Sequence, residues 1–425
     1  MNIKVSRAVT RTLARTARAA LLLAAAACSD KFLAVTNPNV IDAGTVDPAS
    51  GASTLAASAQ QNFATAYGNL AMYSAWFTQE TNVSDTFPTR NEFGFRQISD
   101  LNGSLNTDVW QPLSLAAAST KIVLDLNFAD QATNINYARA ATFRGFAVLH
   151  MATSFCTGTL SSGPALTTSA MLDTAIYWFG QAITVGNANG STDGKNLANA
   201  ALAGRARARL QKGDNSGATT DAAAVPAGFV YNLNYTDDLA NRTRLSNVQY
   251  RYTFDRGSIS VAPSYRTNDP RVPFYTDVQA VAAKLTPQDV VPGGFFPQKK
   301  FTGYASSMRL ASKLESDYIV AEASQNAAQI IAFANTRRAA NGMPAYSGGT
   351  DLASAMAELY YQRAFEFFLE DRKLGDYQRS AASTPFVTAA GAPYFKPGYP
   401  NTGTQTCYPL PRVETDNNPN FGTGK

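Results

Sequence analysis

The sequence predicts a mainly α-helical protein, a scaffold of paired antiparallel helices carrying one loop-rich, irregular subdomain. Apolar residues recur at spacings of three and four over long stretches on both sides of the chain's middle. Alanines and glycines stand where paired helices need to approach closely. Between about Gly228 and Ser307 the helical period gives way to Tyr, Phe and a series of prolines. Composition is globular, at 45% apolar residues with 24 Phe and 19 Tyr, and the length is ample for a large core.

Residues 1–27 read as an export signal. Lys4, Arg7, Arg11, Arg15 and Arg18 form a basic leader without acids, followed by the apolar run Ala19–Ala27, which is too short to span a bilayer. Cys28 directly after the small residues is the expected lipidation site, its thiol becoming the anchored N-terminus. Removing the leader takes five of the 36 basic residues and leaves 31 against 31 acidic ones. The basic pI therefore belongs to the leader, and no nucleic-acid partner is expected. Membrane attachment would come from acyl chains at Cys28.

Residues 28–50 form an extended tether, broken by Pro38, Gly44 and Pro48. The helical scaffold is expected over about 51–227 and 308–380, the excursion over about 228–307, and an irregular tail over 381–425. From Ser53 to about Thr81, Leu55, Ala59, Phe63, Ala66, Leu70, Tyr73 and Phe77 form a helical stripe. A loop follows over Asn82–Asp100, then helices over Ser104–Phe128 and Asn136–Phe155. Ala175, Phe179 and Ala182 in LDTAIYWFGQAI, then Ala206, Gly213, Ala218 and Ala222, match degenerate tetratricopeptide positions. Helical patterning returns over Met308–Ser324, Ala327–Asn341 and Leu352–Leu374, with Gly342 and Pro344 as a stop signal after the second of these.

Enzyme signatures are absent. The one histidine, His150, lies in an apolar helical pattern, where a packed side chain is expected. HExxH, GxSxG, P-loop, CxxC and GxGxxG patterns do not occur, and no cofactor or metal is expected. Glu80, Asp85 and Glu92 lie near aromatics, as a glycoside hydrolase would need, but without the strand–helix alternation of barrel glycosidases. Binding is better supported. In YSAWFTQETNVSDTFPTRNEFGFR, Trp76, Phe77 and Phe87 alternate with Gln79, Glu80, Arg90 and Arg96. Flat rings stack on sugars, and forked polar groups fix hydroxyls or carboxylates. The competing reading gives Trp76 and Phe77 to the core. Tyr265 and Arg266, with Asp269 and Arg271, form a second candidate surface. Cys156 and Cys407 are candidates for a disulfide in an oxidising compartment, with two buried thiols as the alternative.

In order along the chain, the motifs resemble the SusD/RagB family of outer-membrane nutrient-binding lipoproteins. CSDKFLAVTNPN resembles the lipidated opening, and SYRTNDPRV a recurrent internal segment. Ala321–Ala323 and Arg337–Ala339 match the ends of two family helices. Arg363, Glu366, Phe367, Glu370 and Arg372–Lys373 resemble the motif Arg-x-x-Glu-Phe-x-x-Glu-x-x-Arg, with Gly375 where the family commonly has Trp. CYPLPRVETDNNPNF resembles the closing motif. The resemblance implies a tetratricopeptide-like half, a variable ligand-bearing half, and a noncatalytic lipoprotein facing the cell exterior. It would deliver an oligosaccharide or peptide to a SusC-like TonB-dependent transporter. A tetratricopeptide-like interaction scaffold and a glycoside hydrolase are the alternatives.

Overall fold

A computed structural model describes residues 48–422. The expected export signal, Cys28 and nearly all of the tether lie outside the described residues. The opening helix α1 spans Pro48–Phe77. Its apolar stripe is buried from Ala56 onward, and by Ala71–Thr78 it is enclosed on every side. It ends at Gln79, whose φ of 59° is left-handed, and the chain turns into the short strand β1, Thr81–Val83.

The expected loop over 82–100 is more ordered than its composition predicts. Besides β1 it holds helix α2, Pro88–Gly94, started by proline at its first position, where no amide donor is needed. A π-helical turn, Leu105–Trp110, leads into α3, Gln111–Leu124. Helix α4, Ile135–Ser154, is capped by Asn134, whose side chain accepts from the amides of Asn136 and Tyr137. Its faces are buried nearly all round, so it forms the axis of this half. After it, β2 (Thr157–Gly158) and β3 (Leu166–Thr167) form a small ladder.

Helices α5 (Thr168–Asn189), α6 (Thr192–Lys212) and α7 (Asn215–Ala224) then run as hairpins. Each turn uses the same device: Gly190 and Gly213 end a helix at positive φ, and Ser191 and Asp214 cap the next one. Phe179 of α5 explains the glycines. A Cβ at Gly145 or Gly204 would stand only 2.6 or 2.5 Å from its ring, so the ring fills both gaps.

The excursion contains β4 (Val230–Leu233), the short helices α8 (Arg242–Leu245) and α9 (Val248–Phe254), β5 (Ile259–Val261) and α10 (Asp277–Ala282). Short helices therefore join the expected loops and strands. Strand β5 pairs antiparallel with β1, placing Thr81 opposite Val261 and Val83 opposite Ile259. The helix expected from Met308 begins five residues late. Met308–Ser312 is strand β6, paired antiparallel with β4, and Ser312 then caps α11, Lys313–Ala323. The helical array closes here across the excursion: Ile319 and Ala323 of α11 pack on Ala206, Leu210, Ala218 and Ala222. Helices α12 (Ala327–Ala340) and α13 (Leu352–Glu366) cover its other side through Ile330, Ala355 and Leu359.

The helix expected over Leu352–Leu374 breaks after Glu366. Leu369 and Asp371 take positive φ, turning this segment into a buried ionic seam before α14, Lys373–Arg379. Arg207 donates to both oxygens of Glu315 at 2.6 and 2.7 Å. Arg372 lies 3.0 Å from the same carboxylate. Arg309 and Lys300 hold Glu370 at 2.8 and 2.6 Å. Arg363 pairs with Asp376, and Arg379 with Glu322, both at 2.7 Å. The motif glutamates and arginines are thus architectural, although Glu370 takes Lys300 and Arg309 as side-chain partners and Arg372 takes Glu315. Burial alone would raise the Glu315 pKa; the surrounding arginines, led by Arg207 and Arg372, overcome this and hold it at about 2. His150 is a packed residue, its Nδ1 2.8 Å from Asp371, and burial pushes its pKa down despite that partner.

The tail is tied back. Cys156 and Cys407 form a disulfide, Cα–Cα 5.2 Å, at the end of α4. Beside it, the amide of Cys156 donates to Tyr408 O and the amide of Tyr408 to Ser154 O. The last helix, α15, spans Arg412–Asn417.

Candidate functional site

The end of α1, the β1–β5 ladder and the tail converge on a cavity of about 220 Å³. Trp76 and Gln79 come from α1 and its exit turn, Thr81–Val83 from β1, Ala262–Ser264 from the turn after β5, and Gly94 from α2. The tail supplies Phe386, Thr388, Pro393–Phe395 and Thr402. Chain connectivity does not bring these segments together; specific bonds do. The amide of Thr388 donates to Gln79 Oε1 at 2.6 Å, and Arg96 Nη2 donates to the Thr388 carbonyl at 2.5 Å. The left-handed backbone of Gln79 (φ 59°) and Arg96 (φ 53°) aims both side chains at this one tail residue. The ring of Tyr394 reaches the wall because Gly94 leaves room; a Cβ there would collide with its hydroxyl. That hydroxyl is 3.1 Å from Asn91 Oδ1.

Three buried polar atoms of the wall have no hydrogen-bond partner within the protein: Trp76 Nε1, Thr81 Oγ1 and Thr402 Oγ1. Buried polar groups are nearly always paired, because an unpaired one forfeits its hydration without replacement. The rings of Phe386, Tyr394 and Phe395 beside the uncharged polar side chains of Gln79, Asn82 and Ser264 suit a ligand with both polar groups and an apolar face. Among the described residues, no Asp, Glu, Lys, Arg or His lines the cavity.

Of the residues expected to bind ligand, Trp76 and Gln79 line the cavity. Others belong to the interior. Phe77 is fully buried, edge-on to Tyr408 at 5.2 Å, so it is a core ring and not a stacking platform. Tyr265 is equally buried, packed against Phe365, Phe368 and Phe386. Glu80 lies behind the wall, where Leu369 N donates to it. Burial raises its carboxyl to about 7 and lowers the neighbouring Lys373 ammonium to about 7. Arg90 is paired with Asp85 at 2.5 Å and covers Phe87 at 4.4 Å. Phe87 is exposed but outside the cavity. Arg96 positions the tail through Thr388 and Tyr377. Arg266 lies 3.6 Å over Phe296 and donates to Val261 O. Asp269 and Arg271 pair with each other at 2.6 Å, which accounts for the second candidate surface.

The sequence reading missed Thr81, Ser264, Thr388, Tyr394, Phe395 and Thr402. The segment PYFKPGYP, aromatic and proline-rich within the tail, was the available signal.

No family model matches the chain. No curated protein matches it. Solved structures do. A SusD superfamily protein from Parabacteroides distasonis is similar at a TM-score of 0.64 and 15% identity, covering 88% of this chain and 98% of its own. A laminarin binding SusD-like protein is similar at 0.63 and 16%, covering 87% and 97%. Surface glycan-binding protein A from Bacteroides fluxus is similar at 0.61 and 14%, covering 86% and 96%. With helical pairs closing across an inserted subdomain and almost the whole of these relatives covered, the chain has the fold of the SusD/RagB proteins.

Proposed function

We propose that this protein is a noncatalytic glycan-binding lipoprotein of the outer membrane, facing the cell exterior and handing its ligand to a SusC-like TonB-dependent transporter. One observation carries the binding assignment: the cavity of about 220 Å³ that combines the rings of Phe386, Tyr394 and Phe395 with the uncharged polar side chains of Gln79, Asn82 and Ser264. Two proteins of the same fold are named for laminarin and surface glycan binding, which supports a glycan over a peptide. Hydrolysis of a glycosidic bond requires two carboxyl groups flanking it. The cavity wall offers none: Glu80, between two wall residues, is buried and accepts from Leu369 N, Asp85 pairs with Arg90, and Glu92 accepts from Ser99 N and Asn102. Among the described residues no helix is long and apolar enough to cross a membrane, which accords with anchoring through lipid at Cys28.

A few rings and hydroxyl contacts at about 1 kcal/mol each correspond to micromolar to millimolar dissociation constants. Calorimetric titration with a panel of oligosaccharides, laminarin fragments included, tests the assignment. The expected result is saturable binding in that range with no new reducing ends. Absence of binding to every glycan would overturn it. Copurification from membranes, with a TonB-dependent transporter as the expected major partner, tests the delivery role.

A further inference from the structure

The cavity also bears on which glycans it accepts. Building on the glycan-binding assignment, we propose that it takes one uncharged sugar unit and rejects uronic-acid and sulfated units. No Asp, Glu, Lys, Arg or His lines it among the described residues, and three cations of the surrounding segments are hydrogen-bonded elsewhere. Arg96 uses both terminal nitrogens on Tyr377 and Thr388. Lys396, next to wall residue Phe395, holds Asp289 at 2.7 Å and the carbonyl of Asp85 at 2.8 Å. Lys373 donates to the Thr78 carbonyl. An anionic sugar would therefore lose its hydration at the wall and meet no cationic side chain on it, a costly exchange.

The uncharged polar side chains of the lining have the matching chemistry. The side-chain amides of Gln79 and Asn82 both donate and accept. Sugar hydroxyls, themselves donors and acceptors, pair with such groups without bringing charge. Exposed Ser264 on the wall adds a further hydroxyl. Size narrows the fit: about 220 Å³ falls below the roughly 300–1,000 Å³ that encloses a drug-sized ligand. One ring fits within, and the rest of a longer chain lies outside, so recognition centres on a single unit.

The test compares three forms of one oligosaccharide that binds the full chain: the neutral chain, the same chain with primary hydroxyls oxidised to carboxylates, and the methyl ester of the oxidised chain. Oxidation is expected to weaken binding by about tenfold or more, and esterification to recover most of the loss. A Ser264→Arg variant, altered at an exposed position, is expected to shift preference toward the oxidised chain. Equal or tighter binding of the oxidised chain to the unaltered protein would overturn the selectivity while leaving glycan capture standing. Failure of the ester to recover would also overturn it, assigning the loss to shape. If no form of any oligosaccharide binds, both assignments fall.

Discussion

Behind the helical hairpins, charge is dense and paired; around the cavity it is missing, and neutral polar atoms stand unpaired. The seam draws Arg207, Glu315, Glu370, Arg372, Arg363 and Asp376 into the interior, all of them buried. Each is matched, often by bidentate or shared contacts. A buried ion costs several kcal/mol in lost hydration, so it persists only with its partners in place. The cavity lining carries no such charge among the described residues. The charged motif residues are therefore architectural, and the uncharged wall is where we propose recognition.

The sharpest break in that contrast would come from Glu315→Gln. It leaves two buried arginines facing a neutral amide, and a loss of about 3–5 kcal/mol is expected in chemical denaturation. A loss below about 1 kcal/mol would show that the seam does not hold the two halves of the helical array. Acid titration of the unaltered protein sharpens the same point. The Glu315 pKa is held at about 2 in the fold against 4.5 without it. Its contribution is present above pH 4.5 and is lost as pH falls from there toward 2, by about 3 kcal/mol in full. Denaturation midpoints measured across that window should decline, and Glu315→Gln should flatten the decline. The smallest effect belongs to the cavity. Thr402→Val removes an unpaired hydroxyl at constant shape, so stability should stay level or rise by up to about 1 kcal/mol. Glycan affinity should fall about fivefold, close to the same energy. A clear drop in melting temperature would instead give that hydroxyl a structural partner and weaken the contrast.

Much of the scaffold was legible in the sequence. The stripe from Leu55 to Phe77 is α1, the helix expected over Asn136–Phe155 is α4, and the helix expected over Ala327–Asn341 ends at Ala340, just before Gly342. The failures fall where distant contacts override local preference. Met308–Ser312 has a helical pattern but extends because β4 offers it a strand partner. The helix through Glu366 breaks because Glu370 and Arg372 must turn inward to reach Lys300, Arg309 and Glu315. Trp76 was a sequence candidate and Thr402 was not, although both line one cavity. Tyr265 was a candidate beside Arg266, Asp269 and Arg271 in the excursion, yet a three-ring cluster encloses it.

What the sequence determined by itself was the helical order of the chain, since period, caps and terminating glycines act over a few residues and need no distant partner. Which polar atoms are satisfied and which are left for a ligand depends on segments far apart in the chain. The tail is held beside Trp76 and Thr81 by the Cys156–Cys407 bond, the grip of Gln79 and Arg96 on Thr388, and the Tyr394–Asn91 and Lys396–Asp289 contacts. Hydrogen-bond satisfaction is a property of a finished neighbourhood, so the tertiary structure alone decided which uncharged side chains line the cavity.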